Sequence, residues 1–243
     1  MLFTTSWDDG YALDLRIAEL LERHGLAGTF YACPTPQHGE GMLAEKDIRA
    51  LAVRHEIGAH TLTHPHLTKL ATHEADREIR ESKEWAERVT GKPCTLFCYP
   101  YGDRNDEVQT LVRNAGFAGA RTTEDLRFDA SDPFALPVTL QVTPFPYRRR
   151  FSPAWKILDP LGPLRFRFAR LRKAGIPLTA MTSWFTLAKA LFESAKEQDK
   201  PFFHLYGHSR EIERYNMWKP LEAFLTFVRE QDVAPVTNSA LIQ

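Results

Sequence analysis

The chain has little of what would commit it to an extracellular, membrane or nucleic-acid setting. Its 243 residues include only three cysteines, Cys33, Cys94 and Cys98. That odd number argues against a disulfide framework and for a reducing compartment. No apolar run approaches the roughly 18 residues of a membrane-spanning helix, so no transmembrane segment is expected. Lys plus Arg and Asp plus Glu each total 31, leaving no global charge to draw the chain to nucleic acid. No fixed-period repeat or low-complexity run appears, which excludes a repeat array. The apolar run that opens at Leu2 leaves no room before it for a secretory leader, and the expected location is cytoplasmic.

What the chain does have is alternation. Leu2 and Phe3 begin a strand that ends in Ser6-Trp7-Asp8-Asp9-Gly10, and Leu13, Ile17, Leu20 and Leu21 then mark one face of a helix to His24. Further strands are predicted at Ala27 to Cys33, Glu56 to Ala59, Thr95 to Tyr99, Phe117 to Thr122, Asp132 to Val142 and Phe202 to Tyr206. Between them fall helices at Glu45 to Arg54, Thr72 to about Val89, Asn105 to Ala115, Ser183 to Gln198 and Trp218 to Arg229. Ser183 is a plausible N-cap. This order predicts an α/β fold with parallel strands, as a barrel or doubly wound sheet, in a single domain over 1–243.

The polar residues gather at the strand ends. Two adjacent carboxylates, Asp8 and Asp9, repel each other unless a metal or unequal proton sharing relieves them. His60 and His64 follow the third strand, and four-residue spacing lets two imidazoles face one ion if the segment takes about a helical turn. Tyr99-Pro100-Tyr101-Gly102 follows the fourth strand and Gly207-His208-Ser209 a late one. All four motifs therefore fall on the same side of an alternating chain, where α/β folds carry chemistry. A His₂Asp set with open positions is the pattern of a hydrolytic metal site.

Ser-Trp-Asp-Asp-Gly, His-Thr-Leu-Thr-His, Tyr-Pro-Tyr-Gly and a late strand ending in His, in this order, resemble the polysaccharide deacetylase family (carbohydrate esterase family four). The resemblance covers about residues 2–142 and 183–240. It implies a distorted (β/α)₇ barrel that removes an N-acyl group, normally acetyl, from an amino sugar or glycan intermediate with one divalent ion, expected to be Zn²⁺. It further implies Asp8 as general base, Asp9, His60 and His64 as metal ligands, and His208 as general acid, with His204 the other candidate for that last role. Trp7, Tyr99, Pro100, Tyr101 and Gly102 are implied to meet the substrate, with an oxyanion donor near Tyr101. A formamido sugar or a cyclic ureide would suit the same fold, as would an inactive metal- or carbohydrate-binding barrel.

The chain departs from the family pattern in two places. Cys98 stands where the third motif carries an arginine that orients the catalytic carboxylate, and a thiol is a weak donor. Arg121, near the end of the fifth strand, could supply that guanidinium or be a surface charge. The Asp-and-Trp element that supports the acid histidine has no clear match, and Glu211 is one candidate substitute.

A basic insertion at about residues 145–180 contains Arg148, Arg149, Arg150, Lys156, Arg165, Arg167, Arg170, Arg172 and Lys173. Leu164, Phe168 and Leu171 predict a basic amphipathic helix over Pro163 to Gly175. Such a face could be a solvated insertion, could meet a phosphorylated or lipid-linked sugar, or could rest peripherally on the inner membrane surface.

Overall fold

Every pairing between strands among the described residues is parallel, as the alternation of strand and helix demands. The computed structural model describes residues 1–35, 41–147 and 159–242. Strands β1 (Leu2–Asp9), β2 (Thr29–Ala32), β3 (Glu56–Ala59), β4 (Leu96–Cys98), β5 (Gly119–Arg121), β6 (Leu140–Gln141), β7 (Phe202–Gly207) and β8 (Ala234–Val236) form one sheet. Its order is β5-β4-β3-β2-β1-β7-β6, with β8 joined to the start of β1. A parallel bridge from Arg121 to Leu136, on the segment leading into β6, carries the curl round toward β5. The result is the expected distorted (β/α) barrel.

Helices α1 (Asp14–Arg23), α2 (Glu45–Leu51), α3 (Thr72–Thr90), α4 (Asp106–Asn114), α5 (Gly162–Lys173), α6 (Trp184–Glu197), α7 (Ser209–Arg214) and α8 (Trp218–Arg229) complete the described secondary structure, apart from short 3₁₀ turns. Ser183 caps α6 by accepting from the Thr186 N–H at 3.1 Å. No helix among the described residues is long and apolar enough to cross a membrane.

The alternation of side chains along β1 explains how the barrel can be both dry outside its wall and polar within. Phe3 and Trp7 point one way into the large apolar cluster with Phe192, Leu205 and Phe224. Thr4, Ser6 and Asp8 point the other way. All three are buried, and each has a distant partner: Thr4 donates to Asn238 at 2.8 Å, Ser6 pairs with His204 at 2.8 Å, and Asp8 meets Arg121. A polar residue at every second position of a buried strand therefore marks the lumen.

Two expectations need correction here. The strand predicted over Asp132 to Val142 is instead a 3₁₀ turn, Pro133–Ala135, and the two-residue β6. Pro133 and Pro137 lack the N–H groups a ladder needs, and the Asp132 carboxylate accepts from the Phe134 N–H at 2.9 Å. The basic helix exists as α5, but its Leu171 is buried and Leu164 packs on the barrel core, leaving Phe168 exposed. Arg167 and Arg170 bind Asp125 at 2.6 and 2.7 Å, and Arg165 binds Asp159 at 2.6 Å. The apolar stripe read as a membrane face is thus turned toward the protein, and three of the helix's arginines already have a carboxylate. Arg148, Arg149, Arg150 and Lys156 lie outside the described residues.

Candidate metal and active site

Where β1 ends, Asp8 still points into the lumen while Asp9 turns out of it. Asp9 and Gly10 both adopt left-handed backbone, at φ 77° and 78°. Glycine takes this conformation without strain, and here a Cβ on Gly10 would also come within 3.3 Å of Ala32 on the neighbouring strand. Thr61, His64 and Tyr101 share positive φ values of 62°, 61° and 59°. Such strain persists where surrounding contacts over-determine the chain, and it concentrates at functional sites.

The contacts that hold the histidine loop are explicit. Glu78, buried on α3, accepts from the Leu62 and Thr63 N–H groups at 2.8 and 2.9 Å and from the Thr63 hydroxyl at 2.8 Å. The Thr61 hydroxyl accepts from the His64 N–H at 3.0 Å. His60 donates from Nδ1 to the Cys98 carbonyl at 2.7 Å. That bond fixes the tautomer and leaves the Nε2 lone pair to face the mouth. Glu78 carries no motif of its own. Its only trace in the sequence is a carboxylate at an inward position of an otherwise charged helix.

His60 Nε2 and His64 Nε2 lie 3.5 and 3.4 Å from the same Asp9 oxygen. That Oδ1 is buried and has no hydrogen-bond donor among the described residues. Ligands about 2.0–2.1 Å from a tetrahedral Zn²⁺ stand about 3.3–3.4 Å apart. The donor set therefore fits a divalent ion in chemistry and in spacing. A second cluster, Asp8, His60 and Cys98, also has its ligand atoms close together. It suits a cation poorly, because the Arg121 Nη2 lies 2.8 Å from the Cys98 sulfur and bonds to Asp8 as well.

Arg121 is fully buried and donates to Asp8 Oδ1. Its strand position is the register partner of Cys98. The guanidinium that the third motif lacks thus arrives at the same carboxylate from the next strand. Asp8 Oδ2 stays open toward the mouth, with the Cys98 sulfur at 4.0 Å and His208 Nε2 at 3.8 Å. Burial alone would raise the Asp8 pKa, but Arg121, His208 and His60 outweigh it and hold the group below the usual carboxylate range.

His208 sits just past β7, where burial opposes its charging. Glu211, with Asp8 and Asp9, reverses that and lifts its pKa to about 9. Glu211 Oε2 is 3.4 Å from His208 Nδ1 and accepts from Gln141 Nε2 at 3.2 Å. His204 is a different kind of residue. It is fully buried in the lumen between Ser6 and the Pro137 carbonyl, and burial beside Arg121 depresses its pKa to about 3. It does not reach the mouth.

The cavity over these groups holds about 580 Å³ and is lined by Asp8, Asp9, His60, His64, Tyr101 and His208, together with Tyr11, Tyr99, Thr123, Arg210, Glu211 and Arg214. Of the residues expected to touch substrate, Tyr101 is half-exposed and rests on His66, with ring centroids 4.0 Å apart. Gly102 (φ 70°) turns the chain after it. Trp7 must be withdrawn: it is 0% exposed, donates to Thr5 and packs under the helices. Pro100 is buried and backs the wall, whereas Tyr99, though buried with its hydroxyl donating to the Phe134 carbonyl, still contributes to the cavity lining. Tyr11, Thr123, Arg210 and Arg214 belong to no motif, and only the fold brings them to the cavity, the two arginines on α7.

Several curated proteins share the motif-bearing half of the chain. The peptidoglycan-N-acetylmuramic acid deacetylase of Bacillus subtilis is 36% identical over 66 residues, 27% of this chain and 14% of that protein. The peptidoglycan-N-acetylglucosamine deacetylase of Listeria monocytogenes is 26% identical over 127 residues, 51% of this chain and 26% of that one. The chitooligosaccharide deacetylase of Sinorhizobium fredii is 27% identical over 113 residues, 46% of this chain and 51% of that one. The chain thus spans about half the length of these relatives at most. The CE4 domain of a multidomain xylanase from the hindgut metagenome of Trinervitermes trinervoides superposes with a TM-score of 0.60 at 13% identity, over 99% of this chain and 88% of that one. A CE4-family pseudoenzyme from Bacillus anthracis gives 0.57 at 15% identity, over 100% and 65%. At such identities these two structures establish the shared barrel. Residues 2–120 match the family model described as polysaccharide deacetylase, and strand order, motifs and curated relatives agree in placing that half of the chain in the polysaccharide deacetylase family.

Proposed function

We propose that this protein is a metal-dependent hydrolase that removes an N-acyl group, acetyl in the first instance, from an amino sugar. The observation that carries this reading is the spacing of Asp9, His60 and His64 around one orphaned carboxylate oxygen, beside an Asp8 held out of the ligand set by Arg121. Relatives named for deacetylating peptidoglycan sugars and chitooligosaccharides support the substrate class.

A divalent ion bound by Asp9, His60 and His64 supplies Lewis acidity toward the acyl carbonyl and toward water. The chain's own groups divide the remaining work. Asp8, ionised and oriented through Oδ1, takes a proton from the attacking water at Oδ2. As the water oxygen bonds to the acyl carbon, charge develops on the carbonyl oxygen, and a backbone N–H near Tyr101 is suited to receive it. The C–N bond then breaks as His208 gives its proton to the departing nitrogen, leaving a free amine and a carboxylate. Environments that push two titratable groups apart mark base and acid, and the low Asp8 and high His208 values have the required sense.

Elemental analysis tests the ligand set. Wild type is expected to retain about one divalent ion per chain, whereas His60→Ala purifies with little; equal content in the two would overturn the assignment.

The acid is tested by pH. His208 must be protonated to act, so activity should fall as pH rises through its pKa, near 9 in the unliganded site. Glu211→Gln removes the nearest of the carboxylates that raise that pKa. The alkaline limb of kcat should then move to lower pH by about one unit or more. An unmoved limb would remove His208 from the acid role.

A further inference from the structure

We propose that Arg210 and Arg214 form an anion-recognising subsite in the wall of the active cavity, so that the amino sugar deacylated here carries a carboxylate or phosphate. This inference rests on the hydrolase reading and narrows its substrate class.

The two arginines stand four residues apart on α7, so they share one face of the helix that follows His208, and both line the cavity above Asp9, His60 and His64. Among the described residues no carboxylate lies within ion-pair distance of Arg210. It stands over the Tyr11 ring, with its guanidinium carbon 5.5 Å from the ring centroid. Nearby carboxylates are already committed. Glu211 serves His208 and Gln141, and Glu213 takes Trp218 Nε1 at 2.5 Å and Arg16 at 3.4 Å. Asp9 faces the two histidines. Tyr11, Asp9 and Arg210 line the same cavity.

A planar guanidinium whose counter-ion is not provided by its surroundings is suited to a bidentate anion, and a cavity with excess positive charge concentrates one. With Arg121 matched by Asp8 and His208 by Glu211, a divalent ion against Asp9 leaves the wall positive even before Arg210 is added. α5 cannot take this role through Arg167 or Arg170, both of which are held by Asp125.

The test is equilibrium binding to the full chain loaded with Zn²⁺, read by titration calorimetry. The probes are N-acetylglucosamine 1-phosphate, N-acetylmuramic acid and neutral di-N-acetylchitobiose. At least one charged probe is expected to bind about tenfold more tightly than the neutral one, and which one shows whether phosphate or carboxylate is read. Arg210→Gln with Arg214→Gln should cut that preference by about tenfold, while the paired Lys variants keep most of it. Equal binding of charged and neutral probes by wild type would overturn the subsite, as would a preference undiminished in the Gln pair, which would assign it to the metal. Acyl release is read separately on the same samples. A retained charge preference without any release supports the subsite and counts against the hydrolase.

Discussion

Asp8→Asn is expected to lower kcat by about 10²- to 10⁴-fold, the usual contribution of a positioned general base, while metal content stays at the wild-type level. The amide oxygen can still accept from Arg121 in place of Oδ1, so the lumen keeps its geometry. The amide nitrogen at the Oδ2 position cannot take a proton from water. Asp9→Asn should behave differently, because it weakens a ligand that both histidines face at 3.4–3.5 Å. Steady-state kinetics and elemental analysis on the same preparations separate the two. If Asp8→Asn and Asp9→Asn lose metal to the same extent, or if Asp8→Asn keeps its turnover, the division between base and ligand is wrong.

Arg121→Met should destabilise the fold by about 3–5 kcal/mol, the range for removing one partner of a buried ion pair. Both groups are inaccessible, and neither can recover the lost interaction from water. Converting both partners, Asp8→Asn with Arg121→Met, should cost less than the sum of the single changes, since the double variant leaves no unmatched charge. Urea unfolding of the four proteins measures this coupling. The pH dependence has a defined sign. Asp8 has a lower pKa folded than unfolded, so its stabilisation is complete above the ordinary value of about 3.9 and is lost as pH falls through the folded value. Arg121→Met should flatten that acid limb. A single-variant cost under about 1 kcal/mol, or strict additivity, would show that the pair does not hold the lumen together.

The fold was legible because strands and helices alternate with their own periods, and because each motif falls just past a strand. Glu56–Ala59 and Trp218–Arg229 read correctly to the residue, since turn signals or a clear apolar stripe bound both. β8 was missed and β6 was drawn too long, from Asp132 to Val142, because strands of two and three residues near prolines carry almost no periodic signal. Within the site, side chains that follow one strand could be grouped from sequence spacing. Pairings across strands could only be guessed, and Arg121 with Asp8 spans 113 positions. Trp7 misled for a simple reason. It adjoins Asp8, and successive side chains on a strand point to opposite faces, so the neighbour of a lumen carboxylate lies under the helices. Arg210 and Arg214 had no motif to announce them, and the short helix that carries them is six residues long.

The central claim is that Asp9, His60 and His64 hold an ion that this chain uses to hydrolyse an N-acyl amino sugar. Its most direct test is acetate release, with the matching free amine, from the N-acetylated probes named above, before and after chelation. The account predicts release by wild type loaded with Zn²⁺, loss with the chelator, recovery when the ion is returned, and none from Asp8→Asn under any of these conditions. Release that persists in fully chelated protein, or its absence from a correctly folded wild type carrying one ion per chain, would contradict it.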